Sequence, residues 1–422
     1  MAIALGIALQ KEDIDFEDYF VFGELGLDGV VKDTAMIFPL VLSLAKKPIK
    51  VVVPLESLSK VQKIPNINIV AVQTLSEAIT FFKTKKMPSH QPIPFSFPYL
   101  EADGEKYYYD PSYPLDFSEV KGQEVAKRAA LVAAAGCHNL LMEGSPGCGK
   151  SMIAKRLRYI LPPMSMQEIL EMAKMAALDG KEPSFTPLRS YRSPHHSSTK
   201  ASIFGGGSSG ARPGEVAMAH KGILFFDELP HFAKSVLEAL REPLQDHKVL
   251  ISRVHSKVEY ETTFLFVAAQ NPCPCGNLLD NEKECRCTEL EIKRYKNRLS
   301  EPLLDRIDLY VQMAPMRADD SATYTSQQMH EMVLQAFLMQ KGRRQRRLNG
   351  KLKEQEIERY CILDDVADSI LQQARDKFSL SHRSLANIKK VARTIADLEQ
   401  KEIIEKQHIL EALSYRRRTV AP

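Results

Sequence analysis

Three groups of residues are of the types, and at the spacings, that do chemistry. The first is Gly144-Ser145-Pro146-Gly147-Cys148-Gly149-Lys150-Ser151, which satisfies G-x-x-x-x-G-K-[ST] at every position. Glycines let the backbone curl until its N–H groups converge on an anion. A helix N-terminus behind the turn adds a favourable field for phosphate. Lys150 then reaches the β- and γ-phosphates of ATP, and Ser151 ligates Mg²⁺. The pattern has this meaning only between a strand and a helix. Both are predicted, over His138–Glu143 and Lys150–Ile160.

The second group is Ile223-Leu224-Phe225-Phe226-Asp227-Glu228, four apolar residues followed by two acids. A buried strand is expected, with its acids at the carboxyl end, where open α/β sheets bind ligands. Asp227 suits Mg²⁺ through its water shell, and Glu228 suits polarisation of an attacking water. Asn271 follows a third apolar run, Phe264–Ala269, where an amide can orient water or the γ-phosphate; taken alone such a residue is more often than not a turn residue.

The third group is Cys273, Cys275, Cys285 and Cys287, arranged as C-x-C, nine residues, C-x-C. Four thiolates on a short loop suit tetrahedral structural zinc, and they leave no open position for a catalytic metal. The alternative is a reduced loop without metal. Cys148 reads as a bystander within the glycine-rich turn, and Cys137 and Cys361 as packing residues.

These groups need elements to hold them. Strands separated by helices imply a parallel sheet covered on both faces. Ahead of them, residues 1 to about 95 read as a small α/β unit: strands at Ile49–Pro54 and Ile67–Val72, helices at Ala35–Lys46 and Leu75–Lys86. The proline- and tyrosine-rich stretch that follows reads as a linker over 96–115. The core is expected over 116–320, and a helical region with the basic run Lys341, Arg343, Arg344, Arg346 and Arg347 over 321–422. The net charge of +4 over 422 residues permits a polyanionic partner without demanding one. No apolar stretch reaches the ~18–20 residues of a membrane span, and the opening lacks a basic leader, so a cytoplasmic protein is expected.

Longer strings carry a resemblance. Arg192-Ser193-Pro194-His195-His196-Ser197-Ser198, Pro213-Gly214-Glu215-Val216-Ala217-Met218-Ala219-His220-Lys221-Gly222, Asn271-Pro272-Cys273-Pro274-Cys275-Gly276, Leu303-Leu304-Asp305-Arg306-Ile307-Asp308 and Val391-Ala392-Arg393-Thr394-Ile395-Ala396-Asp397-Leu398 resemble the ComM/YifB family. That family is a magnesium chelatase-like, MCM-like branch of the AAA+ ATPases, and the resemblance runs over nearly the whole chain. It implies an α/β P-loop core, a C-terminal helical lid, and an N-terminal Lon-protease-like domain, the last through Gly23-Glu24-Leu25-Gly26-Leu27-Asp28-Gly29. The chain begins partway into that domain, so a trimmed or shortened copy is expected. By gapless comparison Phe38 stands where the lysine of a Ser–Lys dyad belongs, which predicts no peptidase activity.

The resemblance also assigns roles. Val120 and Gln123 lie in the segment that contacts adenine. Arg306 aligns with an arginine finger acting on a neighbouring subunit's nucleotide, with Arg298 a weaker candidate beside it. Arg383 resembles the sensor-2 arginine of the lid. Sites completed by a neighbour imply a ring, a hexamer in the family's pattern, that drives DNA branch migration in recombination and natural transformation. A hairpin expected between His247 and Phe264 would carry Lys248, Arg253, His255 and Lys257 near its turn and project them into the pore, toward branched or single-stranded DNA. The His195–His196 pair sits in an insert over Leu188–Pro213 with no second ligand pair, and is expected to pack on a neighbour or on DNA. The competing reading is a chelatase-like ATPase that remodels a partner protein and is indifferent to DNA.

Overall fold

The structure is a computed structural model that describes residues 1–9, 18–86, 94–206, 212–252, 257–280, 283–315 and 320–416. The chain divides into two compact units, one of residues 1–97 with 165–186, the other of 98–164 with 187–422.

The first unit is built on three parallel strands in the order Tyr19–Val21, Ile49–Pro54, Ile67–Val72. Alternate residues of a strand face opposite sides, and here both sides are covered. Val51 and Val53 pack with Phe38 and Val41 of helix Ile37–Leu44, while Val52 packs with Phe81 and Phe82 of helix Leu75–Thr84. The helix Met166–Leu178 completes the first face through Leu170, Ala173 and Ala177. This unit is therefore not a contiguous block ending near residue 95; part of one layer comes from residues 165–186, far along the chain. Phe38 is a core residue, its ring 5.2 Å from that of Phe185.

The stretch read as a linker also holds structure. Tyr99–Ala102 and Glu105–Tyr108 pair as an antiparallel hairpin, and Tyr107 is buried with its ring 5.0 Å from Phe337. Tyr99, Tyr107 and Tyr108 supply the β-propensity that the surrounding prolines obscure.

The second unit carries a five-stranded parallel sheet. Its order is Tyr191–Arg192, Ile223–Phe226, Leu265–Gln270, Leu140–Glu143, Leu309–Gln312. The three inner strands are buried at every residue, as a sheet covered by helices requires. The helix Glu124–Gly136 lies against this sheet, and its alanines permit close approach.

Among the described residues five α-helices follow, Ser326–Gly342, Glu354–Tyr360, Asp365–Phe378, His382–Leu398 and Lys406–Ser414. They share one apolar core with the sheet, from Leu140 and Val267 to Val333 and Ile395. The string Val391–Leu398 is a latch. Arg393 and Asp397 are both fully buried and pair at 3.0 Å, Arg343 adds two contacts of 2.7 Å to Asp397, and Thr394 meets His138 at 2.7 Å. Burial of a charge demands such partners, and through Thr394 and His138 this signature ties the helical region to the segment that leads into strand Leu140–Glu143.

The basic hairpin forms, as Lys248–Ser252 against Lys257–Glu261. Its register corrects one expectation. Lys248 stands opposite Glu261 at the open end, away from the turn, and pairs with Glu259 at 3.0 Å. Lys257 stands at the turn end and is exposed. Arg253 and His255 lie outside the described residues. No helix among the described residues is long and apolar enough to cross a membrane.

Candidate functional site

The glycine-rich turn leaves the carboxyl end of strand Leu140–Glu143, where Gly144 N–H donates to the Gln270 carbonyl at 3.2 Å. Gly147 and Gly149 take φ of +82° and +95°, which a side chain would strain. A Cβ on Gly144 would lie 2.6 Å from the Cys148 sulfur, so Cys148 fills the space under the loop. Gly149 caps helix Lys150–Leu157.

Lys150 is buried to 8 % exposure, and its ammonium donates to the carbonyls of Gly144 and Ser145 and to Asn271 Oδ1, the last at 3.2 Å. Ser151 Oγ donates to Asp227 Oδ2 at 2.8 Å. Parallel pairing sets these residues together: the strand ending before Asp227 and the strand ending before Asn271 are neighbours, and the latter adjoins the strand that launches the loop. A hydroxyl and a carboxylate so placed suit a divalent cation, and an ammonium beside curled N–H groups suits phosphate.

Glu228 has φ of +52°, in the left-handed region uncommon for a side chain, and its N–H donates to Asp227 Oδ1 at 3.0 Å. That turn brings its carboxylate within 3.6 Å of His196 Nδ1. The His196 ring is 4.1 Å from His195 and 6.0 Å from His231. His196 thus meets the acid at the end of strand Ile223–Phe226 within the same chain, while His195 Nδ1 lies 2.7 Å from Ser197 Oγ. Sequence reasoning misses this, because only sheet order sets strand Tyr191–Arg192 beside Ile223–Phe226.

Val120 is a core residue at 3 % exposure, which leaves its backbone rather than its side chain for any contact with a ligand. Gln123 donates to the Ala314 carbonyl at 2.6 Å. Met313 packs beside Gly144, 3.0 Å from where its Cβ would stand; no signal in the sequence marks it.

Arg306 and Arg383 form a separate cluster. Arg306 donates to the carbonyls of Arg241 and Pro302 and to Gln245 Oε1, and Arg383 reaches the same Gln245 oxygen at 3.3 Å. Burial, then the like charges of Arg383 and Arg241, disfavour the charged form of Arg306, though a guanidinium stays protonated. Asp308 is engaged elsewhere, accepting from Asn139 N–H at 2.9 Å. Among the described residues no hydrogen bond or ion pair joins either arginine to Lys150, Ser151, Asp227, Glu228 or Asn271. Arg298 is exposed.

The four cysteines converge. Their sulfurs all lie within 4.8 Å of one another, with separations of 3.4 Å (Cys273–Cys275), 3.6 Å (Cys275–Cys285) and 3.7 Å (Cys273–Cys285). A tetrahedron with Zn–S near ~2.3 Å has edges of roughly 3.8 Å, so the set fits zinc. Hydrogen bonds from the backbone N–H groups of Asn277 and Arg286 bring the Cys275 thiol down to about 6, whereas, against a backbone hydrogen bond in each case, burial and the neighbouring thiols raise Cys285 and push Cys287 up to about 12.

Comparison with known proteins agrees with this architecture. The family described as magnesium chelatase, subunit ChlI, matches residues 116–321; its C-terminal family matches 323–416, and a further ChlI family matches 1–57. The competence protein ComM of Haemophilus influenzae is 34% identical over 426 residues, which take in 99% of this chain and 82% of that protein. The protein YifB of Salmonella typhimurium is 35% identical, and YifB of Escherichia coli 35%, each covering 99% of this chain and 81% of the relative. Family patterns over core and helical region, and relatives at this identity along nearly the full chain, make it a member of the ComM/YifB family, on the AAA+-type scaffold of the magnesium chelatase ChlI subunit.

Proposed function

We propose that this chain is a Mg²⁺-dependent ATPase that works as a ring, most simply a hexamer, on branched or single-stranded DNA, driving branch migration of recombination intermediates. The observation that carries the reading is the Ser151–Asp227 bond of 2.8 Å beside the Lys150–Asn271 contact of 3.2 Å, a cation-and-phosphate pair assembled within one subunit. Lys150 and the N–H groups of Gly144–Ser151 bind the β- and γ-phosphates, and the backbone at Val120 and Gln123 borders the adenine. Ser151 and Asp227 hold Mg²⁺, which when bound neutralises developing phosphate charge. Glu228 takes the proton of the attacking water, His196 positions that carboxylate, and Asn271 orients the water or the γ-phosphate. The bonds of Arg306 to Gln245, away from its own phosphate loop, favour a finger serving the next subunit, with Arg383 of the lid beside it. The ATPase core lies within 116–320, apart from residues 165–186, which fold with the first unit, and the lid spans 321–422.

DNA is favoured by the hairpin and by the name of the Haemophilus relative, a competence protein. Since Lys248 is neutralised by Glu259, the hairpin's charge toward DNA rests on Arg253, His255 and Lys257. Cys273, Cys275, Cys285 and Cys287 hold a structural zinc. The first unit is the partial Lon-protease-like domain, without peptidase chemistry, and the protein acts in the cytoplasm. The test is the steady-state ATPase rate at fixed low salt with no DNA, single strand, duplex and four-way junction. Stimulation by junction or single strand that fades with salt is expected. A rate indifferent to every nucleic acid, in preparations shown to form rings, would replace this reading with remodelling of a partner protein.

A further inference from the structure

We infer that the four-cysteine loop is a metal-dependent brace on the nucleotide site, so that metal occupancy sets how well this chain binds and hydrolyses nucleotide. The inference rests on the zinc reading above and extends it from local folding to control of the site.

Two attachments connect the loop to the phosphate cradle. The first is along the chain. Strand Leu265–Gln270 ends at Asn271, whose amide oxygen accepts from Lys150, and Cys273 follows two residues later with no exposed surface. A metal bond to the Cys273 sulfur therefore anchors the segment that presents Asn271. The second attachment is across space. Gly276 has φ of +84°, and its N–H closes a turn onto the Cys273 carbonyl at 3.1 Å. A Cβ on Gly276 would lie 2.6 Å from Pro146 Cδ and 4.0 Å from Asn271 Cγ. The backbone of the cysteine turn thus rests directly on the proline of the glycine-rich loop and against the Asn271 side chain.

Among the described residues, the far limb of the loop buries little apolar surface, with Leu279 half-buried. Lys283, Glu284 and Arg286 are exposed charges, Cys285 and Cys287 are half-buried, and Leu278 is exposed. Beyond Cys287 the chain enters helix Glu289–Lys296, secured by a capping box at Thr288 and the buried Tyr295. The thiols tie the limb between this helix and Cys273, and Tyr295 of the helix also meets the Asn271 backbone. One metal would close the loop and hold the turn on Pro146. Without the metal, ordering the limb costs entropy that its small burial offsets only in part, and the support of Asn271 and Pro146 weakens.

The test uses the full chain with bound zinc measured by elemental analysis, a fluorescent ATP analogue for affinity, steady-state ATPase, and circular dichroism for the fold. About one zinc per chain is expected. Chelation, followed by dialysis into Mg²⁺, should preserve the helical signal while lowering kcat or raising Kd by about tenfold, and zinc alone should restore both. Gly276→Ala keeps four thiols and should retain zinc, yet it pushes the turn off Pro146; a comparable loss in kcat or Kd is expected. Absence of bound zinc would overturn both the zinc reading and the brace. Zinc that binds, but whose removal and whose Gly276→Ala counterpart leave Kd and kcat within about twofold, would overturn the brace alone.

Discussion

The phosphate cluster and the arginine cluster share one unit but are held in opposite ways. Lys150 bonds to Asn271 and Ser151 to Asp227 at the ends of adjacent strands, so these four residues of the cradle are brought together within one subunit. Arg306 and Arg383 bond to a common glutamine, Arg306 also to main-chain carbonyls, and among the described residues neither bonds to that cradle. A preorganised cluster binds a ligand by itself. Positive charges resting on a neutral amide are available to a more negative partner, which under the ring reading is a phosphate brought by another subunit.

The contrast breaks first at Lys150. Lys150→Ala should abolish binding of the fluorescent nucleotide, and Glu228→Gln should keep binding while stopping hydrolysis. Glu228→Gln turning over at the parental rate would remove Glu228 from the chemistry. Next comes Arg306→Ala, expected to lower kcat by about a thousandfold with nucleotide affinity and fold retained. Mixing it with Glu228→Gln sharpens the point, because sites shared between subunits regain activity in some mixed interfaces, whereas sites complete within one subunit regain none.

Smaller effects probe the edges of each cluster. His196→Ala should lower kcat a few-fold, on the order of 1 kcal/mol, with Kd unchanged, since its ring faces the Glu228 carboxylate. A change in Kd without one in kcat would place His196 with the ligand instead. The smallest effect is at Lys257. Lys257→Ala should leave the DNA-free ATPase rate alone and reduce the salt slope of DNA binding by about 1, the share of a single neutralised phosphate. An unchanged slope would take the hairpin out of the DNA path.

Legibility followed locality. The cradle reads directly from one string because strand, turn and helix are consecutive, and each residue's task is set by its near neighbours. The acid pair and Asn271 were legible for the same reason, each at the end of an apolar run. The strand Leu309–Gln312 was not, because its four residues become a strand only by pairing with Leu140–Glu143. The hairpin Tyr99–Tyr108 hid among prolines, and the position of Lys248 depended on register, which shifts a residue from turn to base without any change in composition.

What the residues alone determined is the chemistry each segment is equipped for: a phosphate loop, two acids at a strand end, four thiols on a short loop, and the family to which their strings belong. Tertiary structure decided who meets whom. Sheet order set His196 against Glu228, helix Met166–Leu178 completed a face of the first unit from far along the chain, and the cysteine turn came to rest on Pro146. The physical reason is that local propensity and motif act over a few residues, whereas these contacts join segments far apart in the chain through packing and pairing that no single segment encodes.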